Sequence, residues 1–158
     1  MCLARVLWIC IAVAPIRFAV AGAGLGASLA AGASRQAAVL AFALGLAGGT
    51  LFVVADPRRR WGGGAAEVEP VEPPLGAKEE EWWRTALRAC YPSTLGLAVL
   101  AIISLKFNAV LVGVLAGVIG GLGVAGLVAG VEVAARERKL GGRVLAQRGS
   151  GELYLDRG

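Results

Sequence analysis

Residues 93–131 hold a single charged side chain, Lys106, in 39 positions. As one helix this stretch would be about 58 Å long, close to twice the roughly 30 Å hydrocarbon thickness of a bilayer. It must therefore turn, and Lys106, Phe107 and Asn108 supply the only polar break. Residues 109–131 follow as 23 positions without a charge. Residues 93–105 precede the break and extend back to Ala89 for 17 positions. About 20 helical residues cross a bilayer core, so the later stretch spans cleanly and the earlier one needs its amphipathic lead-in.

The same design occurs in the first third of the chain. Residues 37–55 form an apolar run of 19 positions. An earlier run within residues 6–33 is interrupted by Pro15 and Arg17, and Ser34-Arg35-Gln36 separates the two. Hydrophobic residues make up 57% of the chain and charged residues 17%, with a mean hydropathy of +0.70. This balance excludes a disordered chain, and the 24 glycines keep no three-residue period, which excludes collagen. The expected fold is an all-α integral membrane protein of four transmembrane helices in two tight hairpins. A linker joins the hairpins, and an amphipathic juxtamembrane helix precedes the third span. The chain divides into residues 1–56, 57–77, 78–131 and 132–158.

Charge placement orients the spans. Of the 16 basic residues, only Arg35 and Lys106 belong to the tight turns. The other 14 lie in the N-terminal region, the central segment and the tail, with Arg58-Arg59-Arg60 and Arg136/Arg138/Lys139 as the densest groups. Lys and Arg accumulate on the cytoplasmic side. Both termini and the linker are expected there, in a multi-pass protein of the bacterial cytoplasmic (inner) membrane.

Residues 1–33 are about 20 Å too long for one upright span. Three readings fit them. Residues 18–33 span while residues 3–14 lie in the interface beside Trp8; or residues 3–33 form one tilted helix kinked at Pro15 with Arg17 buried; or a signal peptide is cleaved after Ala12-Val13-Ala14, where Pro15 is a poor following residue.

The central segment turns from basic to acidic and proline-rich (Glu67, Glu69, Pro70, Glu72, Pro73, Pro74), the composition of an extended linker. Residues 78–90 then have helix-forming composition. Glu80 and Arg84 stand four apart, and Trp83, Leu87 and Cys90 make a stripe flanked by Trp82 and Ala86. Tryptophans just before a span suit the membrane interface. Ser93 and Thr94 suit the start of span three. Span four continues through Glu132 as a charged helix to Gly141-Gly142. The tail carries a turn signal at Gly149-Ser150-Gly151; a hairpin and disorder both fit it.

Chemistry-bearing patterns are few. With no histidine in the chain, Ser-His-Asp, Cys-His and HExxH arrangements are excluded. Cys2, Cys10 and Cys90 form no CxxC pair and imply no disulfide framework. The pattern with a mechanism is Gly113, Gly117 and Gly121 at four-residue spacing, extended by Ala125 and Ala129. Ala41, Gly45 and Gly49 echo it in span two, and Gly22, Gly26 and Ala30 in span one. Such a glycine zipper lets a neighbouring helix approach closely. Arg17, Asp56 and Glu132 are the ionisable residues at the membrane edge. They lie about 26, 30 and 36 Å from their outer turns at 1.5 Å per residue, which brings Arg17 within reach of an ion pair with Asp56 or Glu132. No catalytic group, cofactor or metal site is expected. The expected partners are the lipid bilayer and either a second copy of the chain or another membrane protein, and not nucleic acid. The sequence thus points to a non-enzymatic helix-packing subunit or scaffold of a membrane complex, with a small oligomeric channel or transporter as the alternative.

Overall fold

A computed structural model describes residues 2–55, 72–73, 78–91, 93–147 and 153–156. The elements in chain order are β1 (Cys2–Arg5), α1 (Val6–Ala30), α2 (Arg35–Val54), β2 (Lys78–Glu79), α3 (Trp82–Cys90), α4 (Ser93–Ser104), α5 (Ala109–Leu140), β3 (Arg143–Gln147) and β4 (Leu153–Asp156). The described chain is mostly helical. Helices α1, α2 and α5 are each long and apolar enough to cross a membrane, as in a membrane-embedded protein. Helices α3 and α4 qualify as a fourth crossing only as one broken span, bent by 48°.

Helix α5 is the axis of the bundle. Half of its most apolar stretch is buried, against 22% for α1 and for α2, because α1, α2 and α4 all pack on it. Direct contact between α1 and α2 is sparse. Helices α1, α2 and α4 thus share α5 as a common packing axis. The outward faces of α2 and α4 carry large apolar side chains, among them Leu44 (72% exposed), Phe52, Ile102 and Ile103. Such faces suit hydrocarbon as solvent.

Local chemistry sets the turns. Gly32, at φ +94°, ends α1 in a left-handed conformation that glycine adopts without steric cost. The Ala33 N–H donates back to Ser28 O at 3.2 Å, the longer bond of a Schellman turn. Ser34 then caps α2 by accepting from the Ala37 N–H at 3.3 Å. Arg35 and Gln36 already belong to the helix, so this turn is shorter than the polar triplet suggests. At the second turn Asn108 Oδ1 accepts from the Val110 and Leu111 N–H groups at 2.9 and 3.3 Å. The two turns are tied together by Ser28, fully buried, whose hydroxyl donates to Ala109 O at 2.6 Å.

Three sequence expectations change. Helix α1 runs unbroken from Val6 to Ala30 with Pro15 inside it, so residues 3–14 do not form a separate interfacial helix. Proline deletes one backbone hydrogen bond, and packing along α5 on both sides of Pro15 outweighs that loss. The helix expected over residues 78–90 starts at Trp82, because Lys78–Glu79 pair as a strand instead. Glu80 therefore lies outside the helix, and the four-residue spacing to Arg84 has no meaning; Glu80 pairs with Arg88, and Arg84 with Glu81 at 3.3 Å. Span three does not extend straight back to Ala89. Tyr91 has extended backbone (φ −93°, ψ 137°), the conformation favoured before a proline.

The end of the bundle opposite the turns is closed by a four-stranded sheet in the order β2-β1-β3-β4. Strand β1 pairs parallel with β2 and antiparallel with β3, placing Leu3 beside Glu79 and Gln147. Strands β3 and β4 form an antiparallel hairpin with Val144 opposite Leu155. Val144, Leu153 and Leu155 pack with Val6 of α1 and Val133 of α5 into a buried apolar cluster at this end of the bundle. Glu137 fastens the sheet to α5. Its carboxylate accepts from Arg5 Nη2 at 3.0 Å, from Arg5 Nε at 3.4 Å and from the Val144 N–H at 3.0 Å. Its backbone carbonyl accepts from the N–H groups of Gly141 (φ +65°) and Gly142, which ends the helix.

Candidate functional site

Arg17 is the twelfth of the 25 residues of α1. Antiparallel packing sets its neighbours: Ser28 meets Ala109, Gly24 faces Ala116, and Gly123 faces Phe18 and Arg17. The guanidinium fork is spread over three groups from two other helices. Nε donates to Thr94 Oγ1 at 3.1 Å, Nη1 to the backbone carbonyl of Leu122 at 2.9 Å, and Nη2 to Ser93 Oγ at 3.4 Å. Thr94 is buried and Ser93 exposed, both at the start of α4. Arg17 thus joins α1 to α4 and α5 at one level of the bundle.

All three acceptors are neutral. Among the described residues no carboxylate lies within ion-pair distance of Arg17. Glu132 is not its partner: the register sets Arg17 against Leu122, ten residues earlier on α5, or about 15 Å along the axis. Asp56 lies outside the described residues. A guanidinium has five N–H donors. Three are used here, leaving one on each terminal nitrogen.

Two cavities lie on either side of this level. One of about 230 Å³ is lined by Arg17 and Ser93 together with Cys10, Val13, Ala89 and Gly126. The other, about 220 Å³, is a wholly apolar groove between α1, α4 and α5. Its walls begin one helical turn from the polar level: Val20 above Arg17, Ala98 above Thr94, and Ile119 above Leu122. Ahead of Ser93, helix α3 turns Thr85 and Ala86 inward and Trp83 and Leu87 outward, and Tyr91 after it is exposed.

The glycines singled out by spacing have different surroundings. A Cβ added at Gly117 or Gly121 would strike the α2 backbone at Phe42 O or Leu46 O, and one at Gly45 would strike Val114 O. At Gly49 it would lie 2.7 Å from Val118 O, and at Gly113 it would lie 3.3 Å from Ala38 O. Gly22 and Gly26 have nothing within 4 Å; Gly24 is the α1 glycine that packs, 2.7 Å from Ala116 Cβ. In α1 the four-residue spacing therefore marks the outward face. Thr50 adds a polar tie, its hydroxyl lying 2.8 Å from Leu46 O and 3.3 Å from Gly121 O.

Sequence reasoning marked Arg17 but none of its partners. Ser93 and Thr94 were legible only as helix-start residues, and a backbone carbonyl such as that of Leu122 leaves no trace in sequence. Cys10 and Cys90 are free thiols. Among the described residues no three His, Cys, Asp or Glu side chains gather as a metal site. Comparison with known protein families, with curated proteins and with solved structures finds no match to this chain.

Proposed function

We propose that the chain is a non-enzymatic tetraspan scaffold of a bacterial inner membrane, packing other membrane proteins against its apolar outer faces. The bent α3–α4 pair would serve as the fourth crossing. The observation that carries this reading is the use of α5 as a solid axis. Where a pore would run through a single bundle there is a helix, and α2 touches it backbone to backbone at Gly45, Gly117 and Gly121. A path for ions or solutes would have to lie between copies, as the oligomeric channel alternative requires. The sheet supports a cytoplasmic role for its end of the bundle, since it gathers segments from three parts of the chain and the basic residues concentrate on that side.

Two measurements test this. Gly64→Cys and Ser150→Cys, each in a background with the native cysteines replaced by serine, should react with an impermeant thiol reagent only after spheroplasts are lysed. Liposomes containing the pure protein should show no ion or solute flux above empty liposomes. A stable symmetric oligomer with flux would replace the scaffold reading by the channel.

A further inference from the structure

We infer that the groove between α1 and α4 holds an acyl chain of an anionic phospholipid whose phosphate is bound by Arg17. The inference rests on the membrane-embedded part of the preceding proposal and is independent of the scaffold role. Arg17 holds its charge among neutral acceptors only, one of them a backbone carbonyl, so nothing among the described residues neutralises it, and an intramembrane cation of this kind marks a functional site. Its remaining N–H groups sit one on each terminal nitrogen, the fork that takes two oxygens of a phosphate at once.

The surroundings select a lipid over a small anion. Arg17 and Ser93 line the cavity on the sheet side of the polar level, which gives the headgroup its place. One turn away on the other side the groove begins at Val20, Ala98 and Ile119. It follows α4 past Ala101 and Ile102 to Leu105, about 16 Å from Thr94. Its lining is apolar throughout, and Ala23 and Ile102 at its edges are exposed, so the groove reaches the outer surface of the bundle. A free phosphate would satisfy Arg17 and leave the groove unused; a phospholipid occupies both. The height is right as well. Helix α3, with Trp83 and Leu87 outward, ends at Cys90, and the exposed Tyr91 follows it just before α4; aromatic side chains of and beside such helices settle at headgroup level.

The test is native mass spectrometry of the full chain in mild detergent, titrated with phosphatidylglycerol, with phosphatidylcholine, and with inorganic phosphate as competitor. Wild type should retain one phosphatidylglycerol in preference to phosphatidylcholine, and millimolar inorganic phosphate should not displace it. Arg17→Gln should weaken retention about tenfold or more, and Arg17→Lys less, since lysine keeps the charge and loses the fork. Ala98→Phe fills the groove without touching Arg17 and should weaken retention as strongly. If Arg17→Gln loses its helical circular dichroism, Arg17→Lys and Ala98→Phe carry the test. Retention unchanged in Arg17→Gln or in Ala98→Phe would overturn the inference. So would displacement by inorganic phosphate, which would make this a site for free anions. Flux and oligomeric mass, which decide the scaffold reading, do not enter these readouts.

Discussion

Replacing Gly117 by alanine probes the close backbone contact between α5 and α2. The new Cβ would strike Phe42 O and would lie 2.8 Å from Leu46 N and 2.9 Å from Phe42 C. These atoms are α2 backbone, so no change of rotamer clears them. Ordinary contact begins at 3.4 Å, and restoring it from 2.8 Å moves α2 outward by at least 0.6 Å. A gap of about 0.5–1 Å forfeits a quarter to a half of each dispersion contact it opens, and the neighbouring contacts at Gly45, Gly49 and Gly121 would open together. Overpacking of this kind costs about 1–3 kcal/mol. Alanine also favours the helix over glycine by about 1 kcal/mol, which hides part of the cost. Gly26→Ala supplies the correction, because a Cβ there meets nothing within 4 Å and only the helix preference changes. The difference between the two variants isolates the packing penalty, expected at about 1–3 kcal/mol. Reversible unfolding by sodium dodecyl sulfate in mixed micelles, followed by circular dichroism, measures both. Equal shifts for Gly117→Ala and Gly26→Ala would refute the claim that glycine at 117 is needed for close approach.

Glu137→Ala removes the acceptor of Arg5 and of the Val144 N–H; losing a buried hydrogen-bond partner costs about 1–3 kcal/mol. Limited proteolysis should then cut near residues 143–156 faster than in wild type while the helical signal is kept, and an unchanged cleavage rate would remove Glu137 from its fastening role. Ser28→Ala deletes the bond that ties the two turns, to Ala109 O; side-chain hydrogen bonds between membrane helices average about 0.6 kcal/mol. The same micelle titration should register a loss of that order, and a loss above that of Gly117→Ala would invert the ranking of packing over polar ties.

The parts of the fold that the sequence made legible are those governed by local composition. Charge-free runs located α2 and α5, and the polar breaks located the turns, because a span and a tight turn each depend on adjacent residues. What failed depends on residues far away. Cys2–Arg5 has no strand pattern of its own; it becomes a strand because β3 arrives from residues 143–147. The β3–β4 hairpin alone would be marginal, and it is held by Val6 and Val133. The glycine spacing in α1 is as regular as that in α5, yet only the latter meets a backbone, since spacing defines a face without telling which face is inward. Arg17 stood out as a charge in an apolar run, while its hydroxyl partners lie 76 and 77 positions away.

The sheet imposes an order of events on assembly. Strand β1 is made first, its parallel neighbour β2 only at residue 78, and its antiparallel partner β3 only after 137 intervening residues. At about 5–20 residues per second that interval lasts roughly 7–27 s. Helices α1 and α2 would already be in the bilayer while β1 waited at its surface without the strand that pairs with it at Leu3. The chain therefore closes like a clasp whose first half is cast long before its second. Any chaperone or insertase attending this protein would have to keep that short apolar strand from pairing elsewhere until the hairpin of β3 and β4 leaves the ribosome.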